Sequence, residues 1–250
     1  MAPIITLITD FGTADGCVGE MKGVLASRAP VATILDVTHD IAPHDVDGAR
    51  LAVARVWRRF PAGTVHLVVV DPGVGSARAA LAVESDRRYL VGPDNGVLSP
   101  ALLVNSARAV VLPTPPNTAP TFHGRDLFAP AAAALAMGAR VDDLGTPTSN
   151  AIVRRTPEAR RRTDGAVAGE VIAVDRFGNA ITNLMGLHGG TLHVNGAQLP
   201  IRRTYSDVPV GTPVAVVGSS GLIEIAVRDG DAAQTMGLTR GTAVSLRKPV

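Results

Sequence analysis

Through the first part of the chain, short apolar runs rich in Ile and Val alternate with segments whose apolar residues recur every three or four positions. The runs at Ile4–Thr9, Thr33–Val37, Val65–Val70, Ala80–Val83 and Ala109–Leu112 are predicted strands. The periodic segments Val18–Ser27, Val46–Phe60 and Arg125–Met137 are predicted helices, with Asp45 and Asp126 where a first-turn carboxylate favours a helix start. This alternation predicts a sandwich-like α/β domain with a largely parallel sheet.

The pattern breaks at Thr146–Asp164, where Pro147, Pro157 and the run Arg154, Arg155, Arg160, Arg161 and Arg162 interrupt the periodicity. A linker is expected there, between an N-terminal α/β domain over residues 1–153 and a C-terminal domain over residues 165–250. The arginine run reads as a solvated connector rather than a phosphate-binding patch. Beyond it only strands are expected, at Glu170–Val174, Thr191–Val194, Gln198–Arg202, Pro213–Val217, Leu222–Val227 and Thr242–Leu246. The Asn195-Gly196 dipeptide suits a tight hairpin. The second domain is therefore expected to be an antiparallel β-barrel.

With 250 residues, 46% hydrophobic and 18% charged, the chain can bury two cores of modest size. The formal charge is only +2, Lys occurs only at Lys22 and Lys248, and aromatic residues make up 3%, so a nucleic-acid partner is not expected. The lone Cys17 excludes an intrachain disulfide or a cysteine-rich zinc site and fits a reducing, cytoplasmic location. No signal peptide is apparent, and no apolar run approaches the roughly 20 residues that span a bilayer.

Candidate chemistry gathers where apolar strands end in a carboxylate followed by a glycine turn: Asp10-Phe11-Gly12, Asp71-Pro72-Gly73-Val74-Gly75 and Asp175-Arg176-Phe177-Gly178-Asn179. Open α/β sheets bind ligands beyond the carboxyl ends of their strands, so Asp10 and Asp71 can converge on one crevice; the plain alternative is that each aspartate caps its own turn. Pro93-Asp94-Asn95-Gly96 adds a further polar turn. Phe122-His123-Gly124-Arg125-Asp126 presents an imidazole, a guanidinium and a carboxylate at a helix start. No phosphate-binding loop, dinucleotide fingerprint or Gly-x-Ser-x-Gly elbow is present. The stretch Asp36-Val37-Thr38-His39-Asp40, with His44 and Asp45 nearby, matches no specific metal spacing and reads as a hydrogen-bonded turn; no metal is expected.

These motifs together resemble the S-adenosyl-L-methionine hydroxide adenosyltransferases, relatives of the fluorinase and chlorinase enzymes. The blocks are ITDFGTADGCVGEMKG from Ile8, DVTHDIAPHDVDGA from Asp36, VVDPGVGSAR from Val69, GPDNGVLSP from Gly92, TFHGRDLFAPAAA from Thr121, VIAVDRFGNAITN from Val171 and GSSGLIEIAV from Gly218. The resemblance implies an α/β domain followed by a β-barrel, a homotrimer with sites at subunit interfaces, and no cofactor. It implies attack of water or hydroxide on C5′ of S-adenosyl-L-methionine, giving adenosine and L-methionine. Asp71, Arg78 and His123 match the catalytic set of the hydroxide-using members, and the halogenating relatives carry a Tyr-Pro-Ala-Thr-Gly-like segment where this chain has Asp71-Pro72-Gly73-Val74-Gly75. Asp10 matches the residue that holds the ribose hydroxyls, and Asp15 and Asp175 match contacts to the methionine end. Asn95 lies in the polar turn and joins the expected substrate-binding set. Phe122 and Phe177 match apolar walls, and Asn179, Ser219, Glu224 and Val227 match barrel-side positions, some through backbone groups. Cys17 and His44 depart from the usual residues around the substrate. A binding protein with little turnover and a halide-using transferase remain the alternatives.

Overall fold

The computed structural model describes residues 2–186 and 189–247, and the chain forms two compact units that divide after Arg154. In chain order the first unit holds β1 (Ile4–Thr9), α1 (Cys17–Arg28), β2 (Thr33–Thr38), α2 (Val46–Val56), β3 (Val65–Val69), β4 (Ala80–Ser85), β5 (Arg88–Pro93), α3 (Ser99–Leu102), β6 (Arg108–Val111), α4 (Ala129–Ala136) and β7 (Thr146–Pro147). The strands form one seven-stranded sheet in the order β2-β1-β3-β5-β4-β6-β7. It is parallel from β2 to β5 and antiparallel from β5 through β4 and β6 to β7.

Side chains alternate across a strand, so the continuous apolar runs of β1 and β3 feed two cores at once. Ile5, Leu7, Val65, Leu67 and Val69 pack with Met21 and Leu25 of α1 and the alanines of α4 on one face. Ile8, Val68, Val70, Leu81 and Val83 pack with Val46, Ala49 and Val53 of α2 and Trp57 on the other. The α/β class and the covering helices follow the sequence pattern, with Asp45 capping α2 by accepting from the Gly48 N–H at 2.9 Å.

The differences have local causes. β5 escapes the periodicity because its hairpin with β4 turns on Asp86 and Arg87, both left-handed at φ 47° and 57°, where Asn-Gly is the usual signal. The expected helix Arg125–Met137 begins instead as a π-turn over Gly124–Phe128, in which the Ala129 N–H reaches the Gly124 carbonyl. Pro130, lacking an N–H, cannot close the ordinary helical bond to Asp126. The expected helix Val46–Phe60 stops at Val56 and tightens into a 3₁₀ turn over Trp57–Arg59.

The expected connector is not free over its first part. Thr146–Pro147 pairs with β6, the Ile152 N–H donates to Asp94 at 2.7 Å, and Arg154 donates to the Ser99 hydroxyl at 2.8 Å and the Asn95 carbonyl at 2.9 Å.

The second unit holds β8 (Arg160–Arg161), β9 (Val167–Val174), β10 (Ala180–Met185), β11 (Thr191–Val194), β12 (Ala197–Arg202), β13 (Pro213–Val217), β14 (Leu222–Val227), α5 (Ala232–Met236) and β15 (Ala243–Arg247). The order β10-β14-β13-β12-β11-β15-β9 closes because β10 also pairs with β9. The barrel is therefore present, with one correction: β12 and β13 run parallel, joined by a crossover, in an otherwise antiparallel ring. A second correction is α5, capped by Asp231, in a region expected to hold strands alone. β10 lies outside the expected strands because Thr182, not an apolar residue, occupies one of its core positions, donating to the Ile223 carbonyl at 2.8 Å. The Asn195-Gly196 hairpin forms with both residues left-handed.

His66 of β3 is fully buried, with Nε2 donating to the Trp57 carbonyl at 3.1 Å and Nδ1 2.7 Å from the Thr6 hydroxyl. Burial pushes its pKa down from 6.5 to about 4, against the Trp57 bond. The unfolded chain thus takes a proton that the fold refuses, so this stability is full above pH 6.5 and is lost as the pH falls through about 4. The loss amounts to roughly 3 kcal/mol. Urea midpoints of the native protein should fall across this window more steeply than those of His66→Gln; equal slopes would refute the assignment.

Candidate active site

Asp71 lies just beyond the carboxyl end of β3, and Arg78 lies just before β4. Because β4 runs antiparallel to β5, and β5 parallel to β3, β4 begins at the same sheet edge at which β3 ends. The short loop between them therefore returns the guanidinium to the carboxylate. Arg78 Nε donates to Asp71 Oδ1 at 2.9 Å and Oδ2 at 3.0 Å, and Nη2 donates to Oδ2. Nη2 also donates to His123 Nδ1 at 2.8 Å, and Nη1 lies 3.4 Å from the Ala79 carbonyl. Both side chains of the ion pair are close to fully buried, at 10% and 5% exposure.

A guanidinium has only donors, so His123 Nδ1 accepts and the ring proton of the neutral imidazole sits on Nε2. Burial and then the Arg78 charge lower the His123 pKa, against the pull of Asp71 and Asp126. The imidazole is therefore neutral at pH 7 and offers Nε2–H as a donor. Beneath this group lies Phe128, fully buried, its ring centroid 5.2 Å from the Arg78 guanidinium carbon and 6.4 Å from the His123 ring. The π-turn after His123 carries this ring, and apolar periodicity alone marks Phe128 as core.

The loop holding the pair is self-braced. The Val74 N–H donates to the Asp71 carbonyl at 3.2 Å, the Ser76 hydroxyl donates to the Gly73 carbonyl at 2.7 Å, and the Arg78 N–H donates to the Ser76 hydroxyl at 3.3 Å. Asn95 joins the strand end to the next turn, donating from Nδ2 to the Val70 carbonyl at 2.9 Å and accepting from the Val97 N–H at 3.1 Å. The register Thr9↔Val69 places Asp10 at the same edge as Asp71, and Asp10 Oδ2 accepts from the His44 N–H at 2.8 Å. Phe122 meets Phe11 edge-on at 5.9 Å and carries Arg125 over its face at 5.0 Å. Arg125 in turn is clamped by Asp126 and Glu20, so the guanidinium seen in the motif belongs to a surface network.

The remaining candidates divide. Asp15 is exposed and accepts from the Cys17 N–H at 3.1 Å ahead of α1; burial and Asp15 together raise the Cys17 thiol pKa. In the barrel, Asp175 builds its turn by accepting from the N–H groups of Phe177 and Asn179, both at 2.9 Å, and from Asn179 Nδ2 at 3.0 Å. That turn leaves Phe177 76% exposed. Glu224 is buried against Tyr205, whose hydroxyl donates to Oε2 at 3.2 Å. Val227 packs in the barrel core with Ile223 and Ile225, so it has only its backbone to offer a ligand. Ser219 is exposed in the turn between β13 and β14, at the end of β14 opposite Val227. Among the described residues no group of His, Cys, Asp and Glu side chains is arranged to hold a metal ion, and no helix is long and apolar enough to cross a membrane.

An α/β unit with a buried carboxylate–guanidinium–imidazole cluster at the carboxyl edge of its sheet, followed by a closed barrel, defines the class of protein. Residues 5–145 match the SAM hydroxide adenosyltransferase N-terminal domain, and residues 169–245 match its C-terminal domain. The chain is 43% identical to a protein of Thermus thermophilus named (R)-S-adenosyl-L-methionine hydrolase, covering 98% of this chain and 100% of that one. It is 27% identical to a fluorinase of Actinopolyspora mzabensis, over 98% of this chain and 97% of that one. A solved structure, described as an uncharacterized conserved protein from Thermotoga maritima, matches with a TM-score of 0.88 at 32% identity, covering 98% of this chain and 100% of that one. The chain belongs to the SAM hydroxide adenosyltransferase family.

Gly75 has φ +75°, and a Cβ there would sit 2.6 Å from the Pro120 carbonyl oxygen. Gly75→Ala is expected to destabilise the protein by roughly 1–3 kcal/mol in urea denaturation. An unchanged midpoint would show that the loop tolerates the side chain.

Proposed function

We propose that this protein hydrolyses S-adenosyl-L-methionine to adenosine and L-methionine, water attacking C5′ in line with the departing sulfur. The observation that carries the reading is the Asp71–Arg78–His123 cluster: a buried guanidinium clamped by a carboxylate on one side and hydrogen-bonded to a neutral imidazole on the other. The 43% identity to a named hydrolase supports it.

The chemistry suits these residues. A sulfonium leaves as a neutral thioether, so no acid is required to protonate it and no cation to stabilise a departing anion; the reaction is proposed to need no metal or cofactor. What remains is to aim one water and take up one proton. Arg78 stays protonated and cannot be the base; its charge favours hydroxide character on a neighbouring water. His123 enters as an Nε2–H donor that orients the water oxygen, since its Nδ1 lone pair is occupied by Arg78. Asp71 is then the proton acceptor within the cluster. As the O–C5′ bond forms and the C5′–S bond breaks, positive charge on sulfur is consumed, and a water-poor site over Phe128 favours that loss of charge. Asp10 holds the ribose hydroxyls, contributing by orientation. Asp15, Asn95, Phe122, Asp175, Phe177, Asn179, Ser219, Glu224 and the Val227 backbone complete the substrate set.

The working assembly is proposed to be a homotrimer with sites at subunit interfaces, in the cytoplasm. The apolar Phe177 and Met185, 76% and 78% exposed, support a cover supplied by another copy. The lone Cys17 supports a reducing location.

Purified protein incubated with S-adenosyl-L-methionine should release adenosine and methionine at a rate that a chelator does not change. Binding without turnover, or a 5′-halo nucleoside formed with chloride, would overturn the assignment. Because His123 is held neutral, kcat/KM should stay level as the pH falls to 6.5 and drop only below it, as an imidazolium would face Arg78. His123→Ala is expected to cost about 10²-fold or more and to abolish that acid limb. A limb unchanged in both His123→Ala and Asp71→Asn would remove both residues from the proton chemistry.

A further inference from the structure

A second polar chain runs beside the catalytic cluster without being part of it. Lys22 Nζ lies 2.6 Å from Asp36 Oδ2, Asp36 Oδ1 lies 3.1 Å from His39 Nε2, and His39 Nδ1 lies 2.8 Å from the Thr9 hydroxyl. His39 Nε2 faces the Asp36 carboxylate at charge-contact distance without hydrogen-bond geometry, and Nδ1 shares a hydrogen bond with the Thr9 hydroxyl. Thr9 Oγ1 also accepts from the Phe11 N–H at 3.3 Å. The backbone follows the same route: Gly12 N–H donates to the His39 carbonyl at 2.8 Å, and Ile41 N–H to the Thr9 carbonyl at 3.4 Å. Asp10 is enclosed between these anchors, its Oδ2 accepting from the His44 N–H.

Carboxylate, imidazole and hydroxyl in this order can activate a nucleophile. Here that use is closed, because Thr9 has no accessible surface and His39 is 5% exposed. What the chain can do is hold a turn. Three residues on two neighbouring parallel strands and their following loops converge on the one segment, Thr9–Gly12, that carries Asp10. We propose that Asp36, His39 and Thr9 form a positioning relay that presents Asp10 to the substrate's ribose, setting substrate and adenosine affinity and leaving the chemical step to Asp71, Arg78 and His123. This rests on the reading of Asp10 as the ribose-binding residue. It also gives Asp36 and His39 a place in the stretch Asp36–Asp40, which the sequence marks as a hydrogen-bonded turn.

The test is a mutant cycle on the full-length protein. Thr9→Val keeps the buried shape and removes the hydroxyl, Asp36→Asn changes a partly exposed end, and His39→Phe removes the centre. Each should raise KM for S-adenosyl-L-methionine, and Kd for adenosine by calorimetry, by about fivefold to tenfold with kcat held within about twofold. In an Asp10→Ala background the same substitutions should change affinity by less than about twofold, since coupled residues are not additive. A purely structural role would instead lower thermal stability and kcat alike and would remain additive with Asp10→Ala. That result, or unchanged affinity in folded Thr9→Val and Asp36→Asn, overturns the relay. If the native protein fails to release adenosine and methionine, the proposed function falls on its own, and the adenosine affinities still decide the relay. If it neither turns over nor binds adenosine, both fall.

Discussion

A guanidinium withdrawn from water must be paired, and the structure of the first unit is organised around meeting that demand for Arg78. Its charge is answered by the two oxygens of Asp71 and its remaining hydrogen-bonding capacity by His123 and a backbone carbonyl. Removing either partner leaves a buried charge uncompensated, which costs far more than a surface ion pair contributes. The same pairing that keeps the cluster folded also sets the state of the imidazole: Arg78 occupies the His123 Nδ1 lone pair, and its charge, with burial, favours the neutral ring.

The sheet makes this arrangement possible through a change of direction. Parallel strands β1 and β3 deliver Asp10 and Asp71 to one edge, as open α/β sheets generally do. A parallel β4 would have started at the opposite edge and carried Arg78 away from it. The antiparallel hairpin with β5 starts β4 where β3 ends, so an Asp and an Arg seven positions apart in sequence face each other. The π-turn over Gly124–Phe128 completes the cluster by setting His123 at the edge while seating the Phe128 ring beneath the guanidinium. An aromatic face under a desolvated cation is worth about 2 kcal/mol, and it excludes water from the side of Arg78 that no polar group covers.

The two units differ in how openly they declare themselves. In the first, apolar runs such as Val65–Val69 are buried on both faces and are legible as strands from composition alone. Helices α1 and α2 are similarly plain, because each buries one stripe. The barrel is harder to read. β10 places Thr182 among core positions while Ile181 points away, which inverts the expected alternation, and β12 and β13 pair in parallel through a crossover that turn residues do not announce. The β4–β5 hairpin hides for a related reason, since an Asp-Arg turn adopts a backbone that sequence leads one to assign to Asn-Gly.

For the site, residue types and local order made the carboxylates at strand ends visible, because a charged group that ends an apolar strand beside glycine is conspicuous without any knowledge of the fold. The His123 motif stood out as a polar loop at a helix start, and family resemblance added Arg78 and joined both to Asp71. Neither source could establish which groups touch. That Arg125, in the same motif as His123, is claimed by Glu20 and Asp126 while Arg78 is free to reach His123 depends on loop geometry. That Val227 faces the barrel core, that Phe128 underlies the cation, and that His39 joins Asp36 to Thr9 depend on strand register and on the turn that Pro130 imposes. The chain's linear order determined the layers, the covering helices and the edge at which chemistry would gather, since those follow from burying apolar surface with a period of two or near four. Only the folded chain decided the partners of each charge, because hydrogen bonds act over about 3 Å and side chains far apart in sequence meet at that distance only once packing has set every strand in register.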